Sequence, residues 1–336
     1  VSKTATAFNL GWMIASKGKK VILVDGDPQC NLTGMVLGFK NSDEFEAIYK
    51  AGGVRNIRDG LAPAFESRPA PIEAVICEKI DGQPNMLLLP GHLGLAEYEV
   101  TLGIAQELSG SLVTLQNLPG SISYLFDLTA AKYDADYIIV DMSPSLGPIN
   151  QNLLMTSDFF LVPMAPDYFS VMATDSLASI IPKWKSWADQ AKIVPVLKNA
   201  TYPFPSKEPK FIGTIVQKYR LREGQTASSA FQKWIDEIEN GVKTKLIPVL
   251  RNNGMLLPEE NYTNANITLG EPVIQMSDFN SLIALSQKHQ APIFSLTDEQ
   301  LETTGIVLER TKKSMNKFFE LYSDGADKII NFTENA

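Results

Sequence analysis

Two residues near the start of the chain, Lys3 and Thr4, have the types and the order needed to bind phosphate and magnesium. A lysine followed by serine or threonine at the first turn of a helix can contact phosphate oxygens with its ammonium group and Mg²⁺ with its hydroxyl. The free N–H groups and the positive dipole end of such a helix also favour anions. An apolar, helix-like stretch follows directly, so the pair matches the second half of a phosphate-binding loop.

Three aspartates follow apolar runs of strand length. Asp25 and Asp27 come after VILV, and their spacing of two places both carboxylates on the same side of the chain. Asp141 comes after YIIV, which is the form of a strand whose terminal carboxylate holds Mg²⁺ directly or through a water. Ligands of open α/β sheets bind at the carboxyl ends of strands, so we expect these carboxylates on one rim with Lys3 and Thr4. The alternative is that they only cap loops.

Turn-forming residues follow both acidic strand ends. Pro28 comes directly after Asp27 and stiffens that turn, and Ser143 and Pro144 begin a turn-rich segment after Asp141. Segments of this kind can change position when a γ-phosphate is gained or lost, so Asp27, Pro28, Ser143 and Pro144 are candidate switch residues. The alternative for the second segment is an ordinary strand-to-helix turn.

Short apolar runs alternate with longer helical patterns, which predicts an α/β fold with a mostly parallel central sheet. The runs are apolar at consecutive positions, so helices are expected on both faces of the sheet. The predicted strands are Val21–Val24, Met86–Leu89, Tyr137–Val140, Phe159–Val162 and Phe211–Val216. The predicted helices are Thr4–Lys17, Leu95–Leu108, Gly120–Ala131, Pro148–Met155, Met172–Asp189, Ala227–Ile238, Phe279–Gln287 and Asp298–Tyr322.

We expect residues 1–336 to form a single domain, because 44% of them are hydrophobic and no linker or repeat divides the chain. Two stretches do not fit a minimal βαβ repeat. Residues 41–71 are rich in glycine, proline and charge, and residues 222–272 are long and polar with a helix inside. Both are predicted to be surface elaborations.

The formal net charge of −8 argues against an overall electrostatic attraction to nucleic acid, so any DNA contact must be local. Two cysteines, Cys30 and Cys77, provide neither a disulfide framework nor a set of metal ligands, and they suit a reducing cytoplasm. No apolar run reaches the roughly 18 residues that span a bilayer. We therefore expect a cytoplasmic protein without membrane contact.

Four segments carry a resemblance to a known family. VSKTATAFNL, VILVDGDPQCNLTG, YDADYIIVDMSPSLGPINQNLL and DFFLVPMAPDYFSV occur in that order. Together they closely resemble the ParA/MinD group of deviant Walker A P-loop ATPases, and its Soj-like partition branch in particular. The family loop reads Lys-Gly-Gly-Val-Gly-Lys-Thr-Thr. Aligned on it, Val1 is the fourth position, Ser2 replaces the last glycine and Ala5 replaces the second threonine. Cys30 stands where the family usually has glycine.

The resemblance implies an ATPase that binds ATP with Mg²⁺ and dimerises face to face. Val1, Ser2 and Ala5 would complete the nucleotide-binding loop. Lys3 would contact phosphate, and Asp27 would orient or activate the attacking water. The resemblance assigns the Mg²⁺ shell to Thr4, Asp25 and Asp141. It also suggests base contacts for Gln217 and Tyr219 after the strand ending at Val216, although a strand-end glutamine is ordinarily a solvated turn residue.

The resemblance further implies a partition switch that binds a ParB-like adaptor and non-specific DNA and is associated with the nucleoid. Candidate DNA contacts are Arg220, Arg222, Arg310, Lys313 and Lys317. The last three share one helical face, which suits phosphate contact, although a solvated cationic face has the same pattern.

Three other interpretations remain. A MinD-like ATPase could position another cargo without DNA, but the carboxyl-terminal segment has a single lysine and fits a membrane-binding tail poorly. Iron proteins related to nitrogenase reductase need cluster cysteines, and Cys30 and Cys77 do not occupy the matching segments. Amidating enzymes of the cobyrinic acid type need a glutaminase domain, for which there is no motif.

The resemblance also implies a strand and glycines that come before Val1. Sheets of this family carry their first strand near the middle. We therefore expect the natural chain to extend upstream by at least about ten residues, enough for a strand and the first half of the loop.

Overall fold

The computed structural model describes residues 2–38, 46–47, 49–50, 52–108, 113–219, 229–279 and 281–336. Within them, seven strands form. The strands are β1 Val21–Gly26, β2 Glu78–Lys79, β3 Met86–Leu89, β4 Tyr137–Met142, β5 Phe159–Met164, β6 Lys210–Tyr219 and β7 Pro272–Ser277. All five predicted strands are present, and four of them extend past their predicted ends.

The strands are mostly parallel and fall into two sheets. The first has the order β2-β3-β1-β4, and the second has the order β5-β6-β7. Only the two-residue strand β2 pairs in the antiparallel sense. The α/β class with a mostly parallel arrangement is thus confirmed. The strands form two sheets because β4 and β5 do not pair with each other in the described part of the chain.

Helices connect the strands and cover them. They are α1 Ser2–Ser16, α2 Asn31–Leu37, α3 Ile57–Phe65, α4 Leu95–Glu107, α5 Leu118–Tyr133, α6 Pro148–Met155, α7 Tyr168–Ile193, α8 Pro195–Lys198, α9 Ser229–Gly241, α10 Ile247–Asn252, α11 Glu259–Asn264, α12 Leu282–His289, α13 Asp298–Leu301 and α14 Gly305–Glu334. A 3₁₀ turn spans Val113–Leu115, and a π-helical turn spans Val242–Leu246.

The helices bury both faces of the first sheet. On one face, α1 and α14 pack over strands of both sheets, and one apolar cluster contains Leu23 of β1, Ile215 of β6 and Ile274 of β7. On the other face, α3, α4, α5 and α6 pack on Ile22 and Val24 of β1. The apolar face of α1 therefore holds the two sheets together, and its amino end lies at the rim where the strands end.

The two stretches predicted as surface elaborations contribute to the core where the structure describes them. Within residues 41–71, α3 buries Ile57 and Leu61 against β1 and β3. Within residues 222–272, α9 and the π-helical turn bury Ile238 and Leu246 against α7. Glycine, proline and charge suggested surface segments, but helices inside both of them pack against apolar partners.

The last predicted helix is divided and longer than expected. A short α13 ends at Leu301, and the next residue, Glu302, has a left-handed φ of 54° that stops the helix. α14 then continues past Tyr322 through Gly325 to Glu334. Gly325 does not break the helix because it packs against β7: a Cβ there would come within 2.3 Å of the Ile274 side chain. Among the described residues, no helix has both the length and the apolar character needed to cross a membrane.

Candidate nucleotide site

The amino end of α1 holds Lys3 and Thr4 against the carboxyl end of β4. The ammonium group of Lys3 donates a hydrogen bond to the carbonyl oxygen of Met142 at 3.2 Å. Burial lowers the pKa of Lys3, and the charges of Asp141 and Asp27 oppose that effect. Thr4 is buried, and its hydroxyl hydrogen-bonds with the Asp141 carboxylate. The structure thus brings the predicted phosphate-binding pair and an acidic strand end together.

The acidic residues share this rim, as their positions in the sequence predict. Asp25 and Asp141 are paired in register across the parallel strands β1 and β4. They are 0% and 5% exposed, and Asp27 is 8% exposed. Burial raises the pKa of Asp141, although the Thr4 hydroxyl and the Lys3 charge oppose the shift. Burial also raises the pKa of Asp25 to about 6.

Asp25 belongs to a hydrogen-bond network that sequence reasoning missed. Its Oδ2 accepts hydrogen bonds from the backbone N–H and the hydroxyl of Thr33, both at 2.7 Å. The Thr33 oxygen in turn accepts from the N–H of Gly91 at 2.9 Å. Gly91 and Thr33 are 58 residues apart, so no local motif connects them. The network fixes the start of α2 and the loop after β3 to the end of β1.

The same carboxylate supports the turn that carries Asp27. Oδ1 of Asp25 accepts from the N–H of Asp27 at 3.3 Å, and Oδ1 of Asp27 accepts from the N–H of Gln29 at 2.9 Å. Pro28 lies inside this turn. Cys30 follows with a φ of 54°, in the left-handed region that favours glycine. That torsion is a physical reason for the family's glycine at this position.

The segment after Asp141 is held by α6. Nδ2 of Asn150 donates to the carbonyl oxygens of Ser143 and Ser145, at 2.8 Å and 2.7 Å. The Ser143 hydroxyl lies 2.9 Å from that of Ser145, and Pro144 between them is exposed. The segment therefore has one buried anchor and an exposed tip. A switching role for Ser143 and Pro144 stays a prediction.

Gln217 has a different environment from the solvated turn considered for it. It is 4% exposed, and its Oε1 accepts a hydrogen bond from the Thr6 hydroxyl at 2.6 Å. The side chain thus connects β6 to α1. A base contact by Gln217 or Tyr219 stays a prediction. Ala5, which is 0% exposed, lies in the first turn of α1, where Ser2 is the first helical residue. Val1 lies outside the described residues.

The residues present fit a magnesium nucleotide better than a metal bound by protein alone. Among the described residues, no group of three or more histidine, cysteine or acidic side chains is placed to hold a metal ion. Mg²⁺ usually keeps several waters and takes its remaining ligands from one or two protein groups and substrate phosphates. The Thr4 hydroxyl can donate to Asp141 while its lone pairs stay available to a cation, and Lys3 has two further N–H donors for phosphate.

The predicted basic face of α14 is present, but its charge is mixed. Arg310 and Lys313 are exposed and Lys317 is half-buried; within the described structure none of them forms an ion pair. Glu309 and Glu320 occupy neighbouring positions on the same side of the helix. Local attraction to DNA phosphates is therefore weaker than the three cations alone would give. Two further predicted DNA contacts, Arg220 and Arg222, lie outside the described residues.

The buried carboxylate of Asp25 predicts a pH dependence of stability. Its pKa of about 6 exceeds the ordinary value of 3.8, so the native state binds its proton more tightly than the unfolded state does. Its contribution to the free energy of unfolding is therefore full below about pH 4 and is lost as the pH rises to about 6. In Asp25→Asn, an oxygen can still accept from Thr33, and this loss should disappear.

Urea unfolding of the wild type and Asp25→Asn at several pH values, in EDTA without nucleotide, measures the effect. Relative to the wild type, the variant should gain about 3 kcal/mol between pH 4 and pH 7. If the free energies of unfolding of the two proteins change in parallel over this range, the Asp25 carboxylate does not cause the loss of stability.

The hydroxyl of Thr33 should make a large contribution to the free energy of unfolding for so small a group. Thr33→Val keeps the backbone N–H bond to Asp25 but leaves the buried N–H of Gly91 without its acceptor. We expect a loss of about 1–3 kcal/mol in the free energy of unfolding, whereas Thr33→Ser keeps the hydroxyl and should lose less. Urea unfolding measures both variants. Equal stabilities for the two would contradict the network.

Comparisons with known proteins agree with this geometry. The model of an AAA domain family matches residues 1–192. Soj of Bacillus subtilis, a sporulation initiation inhibitor protein, is 32% identical over 54% of this chain, and the match covers 60% of Soj. The chain therefore spans about three fifths of that relative.

Two solved structures share the fold. The complex of a Cyanothece McdA variant with ATP is 16% identical, with a TM-score of 0.54 over 94% of this chain and 92% of McdA. The structure of pNOB8 ParA bound to nonspecific DNA is 16% identical, with a TM-score of 0.51 over 100% of this chain and 95% of that one. The matched family model, the Soj relative and these folds together show that the chain belongs to the ParA/MinD family of P-loop ATPases.

Proposed function

We propose that this chain binds and hydrolyses ATP with Mg²⁺ and acts as a nucleotide-dependent switch in DNA partition. The observation that carries the proposal is the convergence of Lys3, Thr4, Asp27 and Asp141 on the rim beside the amino end of α1. A cation, a hydroxyl, carboxylates and free helix N–H groups in one place match the needs of a polyphosphate with its metal.

Each residue has a distinct task in this proposal. Bound Mg²⁺ would neutralise charge on the phosphates. Lys3 contacts phosphate oxygens, and the Thr4 hydroxyl and Asp141 hold the metal and its waters. Asp27 orients the attacking water and accepts its proton. Asp25 contributes to the metal shell and keeps the Asp27 turn in place by accepting a hydrogen bond from the Asp27 N–H.

The biological role rests on relatives. The chromosome partitioning protein ParA of Myxococcus xanthus, which is 32% identical over 54% of this chain, supports a role in partition. McdA supports ATP as the nucleotide, and pNOB8 ParA supports non-specific DNA as a partner. We propose accordingly that ATP drives a face-to-face homodimer that binds DNA and a ParB-like adaptor, and that slow hydrolysis resets it. The protein would act in the cytoplasm, on the nucleoid.

A second candidate is a MinD-like positioning ATPase that acts on another cargo without DNA. The mixed charge of α14 favours it, because Glu309 and Glu320 offset part of the basic face, and the whole chain carries a net charge of −8. DNA binding therefore separates the two candidates.

The deciding measurement is binding to random-sequence duplex DNA with ATP, with ADP and without nucleotide, at several salt concentrations. If the protein has the partition role, ATP promotes DNA binding and ADP does not, and the affinity for DNA falls steeply as the salt concentration rises. The triple variant R310E/K313E/K317E should weaken binding and lower the salt slope by up to about three, because each phosphate contact contributes about 0.9.

A matched control reverses three exposed lysines on other elements, Lys79, Lys183 and Lys198, for which the described structure shows no ion pair. This control changes the net charge equally and should keep most of the affinity. If both triple variants lose equal affinity, the α14 face is not the contact. ATP hydrolysis without any ATP-dependent DNA binding would favour the positioning role.

A further inference from the structure

The helix α4 is apolar on two opposite faces. Its inner face is buried in the apolar cluster that covers β1. Its outer face carries a row of apolar residues at intervals of four, Ala96, Val100, Ile104 and Leu108. The last three are 68%, 44% and 43% exposed. Because a helix that is apolar all round is expected to be buried all round, the described structure leaves uncovered a face whose sequence indicates a partner.

Acidic side chains border this outer face. The helix α4 contains three glutamates and neither lysine nor arginine. Two of them, Glu97 and Glu107, lie on the exposed side near the two ends of the row. The Glu97 side chain is 75% exposed, and Arg58 reaches its carboxylate only at 3.8 Å. Glu107 forms no ion pair with any described residue. The outer face therefore has an apolar centre and acidic ends.

The inner side of α4 is connected to both candidate switch segments. The loop that leads into α4 includes Gly91, whose N–H donates to Thr33 in the hydrogen-bond network at the end of β1. In the second half of α4, Nε2 of Gln106 donates to the carbonyl oxygen of Pro148 at 3.1 Å. Pro148 begins α6, directly after the segment at the end of β4. A partner on the outer face would therefore contact the helix that both segments touch.

We propose that the outer face of α4 is a docking surface for a partner protein that presents a basic amphipathic helix. The row runs for about 18 Å from Ala96 to Leu108, at 1.5 Å per residue, which a partner helix of three to four turns can cover. Side chains at intervals of four form a ridge that packs into the groove of a second helix. Lysine or arginine beside the partner's apolar stripe would pair with Glu97 and Glu107.

A second copy of this chain fits the outer face less well. An antiparallel pairing that sets Val100 of one copy against Ile104 of the other across a two-fold axis also places Glu97 opposite Glu107. A parallel pairing places each glutamate beside its equivalent. Both arrangements bring like charges together, which opposes association. An anionic membrane surface would repel the same glutamates. The charge of the face therefore favours a basic protein partner.

The experiment uses two synthetic helical peptides of about 18 residues, with leucine in one and isoleucine in the other at positions i, i+3, i+4 and i+7, and lysine and alanine elsewhere. Fluorescence anisotropy measures their binding to the full chain without nucleotide. At least one should bind the wild type. V100S/I104S should weaken that binding at least about tenfold, because two apolar side chains lose their burial. The matched control is I306S/V307S, at two exposed apolar positions of α14, and should bind as the wild type does.

A charge exchange tests the acidic ends. E97K/E107K should lose affinity for the basic peptides and gain affinity for versions with glutamate in place of lysine. E259K/E260K changes the net charge equally at exposed positions of α11 and should behave as the wild type does. The proposal would be overturned if neither basic peptide binds, if basic and acidic peptides bind the wild type equally, or if target and control variants weaken binding equally. Sedimentation that shows a dimer of the wild type, abolished in V100S/I104S, would also overturn it, because a second copy would then be the occupant.

Docking should also change ATP turnover, and this consequence rests on the proposed function. A saturating basic peptide should change the kcat of the wild type at least about fivefold and leave that of V100S/I104S unchanged. Peptide binding with unchanged turnover would support the docking surface and overturn its connection to the switch segments. A chain that binds the peptides but hydrolyses no ATP would contradict the proposed function and still support the docking surface.

Discussion

Lys3→Ala should weaken ATP binding by about a hundredfold and abolish measurable hydrolysis. The ammonium group is half-buried at the amino end of α1, near Asp141 and Asp27 and within hydrogen-bond distance of the Met142 carbonyl. Alanine removes a charged donor to phosphate, and a charge-assisted hydrogen bond is worth about 1.5–3 kcal/mol. Each 1.4 kcal/mol changes affinity about tenfold. Titration with a fluorescent ATP analogue and a phosphate-release assay measure the two effects.

The matched control is Lys17→Ala, at the opposite end of the same helix. Lys17 forms a surface ion pair with Asp327 and lies far from the rim. The Lys17→Ala protein should bind ATP as the wild type does. Circular dichroism and thermal unfolding test that Lys3→Ala is folded. A folded Lys3→Ala protein with unchanged ATP affinity would show that the nucleotide site is misassigned.

Asp27→Asn should abolish hydrolysis while ATP binding is retained. Asparagine keeps an oxygen that can accept the Gln29 N–H, so the turn should persist. It cannot take a proton from water, and the loss of a general base costs about 10² to 10⁴ in rate. Single-turnover hydrolysis with excess protein measures the chemical step apart from binding.

Asp81→Asn, at an exposed turn remote from the rim, is the control and should hydrolyse ATP at the wild-type rate. The two aspartates at the end of β1 should also differ. Asp25→Asn should retain part of the activity, because Asp25 acts on Asp27 through the turn. Wild-type turnover in Asp27→Asn would mean that another group activates the water.

The strands and the longest helices could be predicted because each depends on a local pattern. β1 and β4 each begin with four consecutive apolar residues followed by an aspartate, and α1 begins directly before the phosphate-binding pair. Short elements such as α2, α3 and β7 were missed. Each is short and is stabilised by tertiary partners: α3 packs on Ile22 and Val24, whereas α2 and β7 pack in the apolar cluster that contains Leu23.

The residues of the candidate site also fall into those that local patterns predict and those that they do not. The principal residues follow apolar strands or begin a helix, so they could be predicted from the sequence. Thr33, Gly91 and Asn150 carry no comparable signal, because their partners lie on other elements. Gln217 shows the converse error: its position after an apolar run suggested solvent or a base, but β6 continues to Tyr219 and turns the side chain toward Thr6.

By itself, the sequence determined the α/β class, the family and the residue types at the rim, because these depend on periodicity and on motifs a few residues long. Only the tertiary structure decided that Asp25 is committed to Thr33, that Arg310, Lys313 and Lys317 form no ion pair among the described residues, and that β4 and β5 do not pair with each other there. Those properties depend on which strand edges find partners and which charges lose water, and both are set by contacts between residues far apart in the chain.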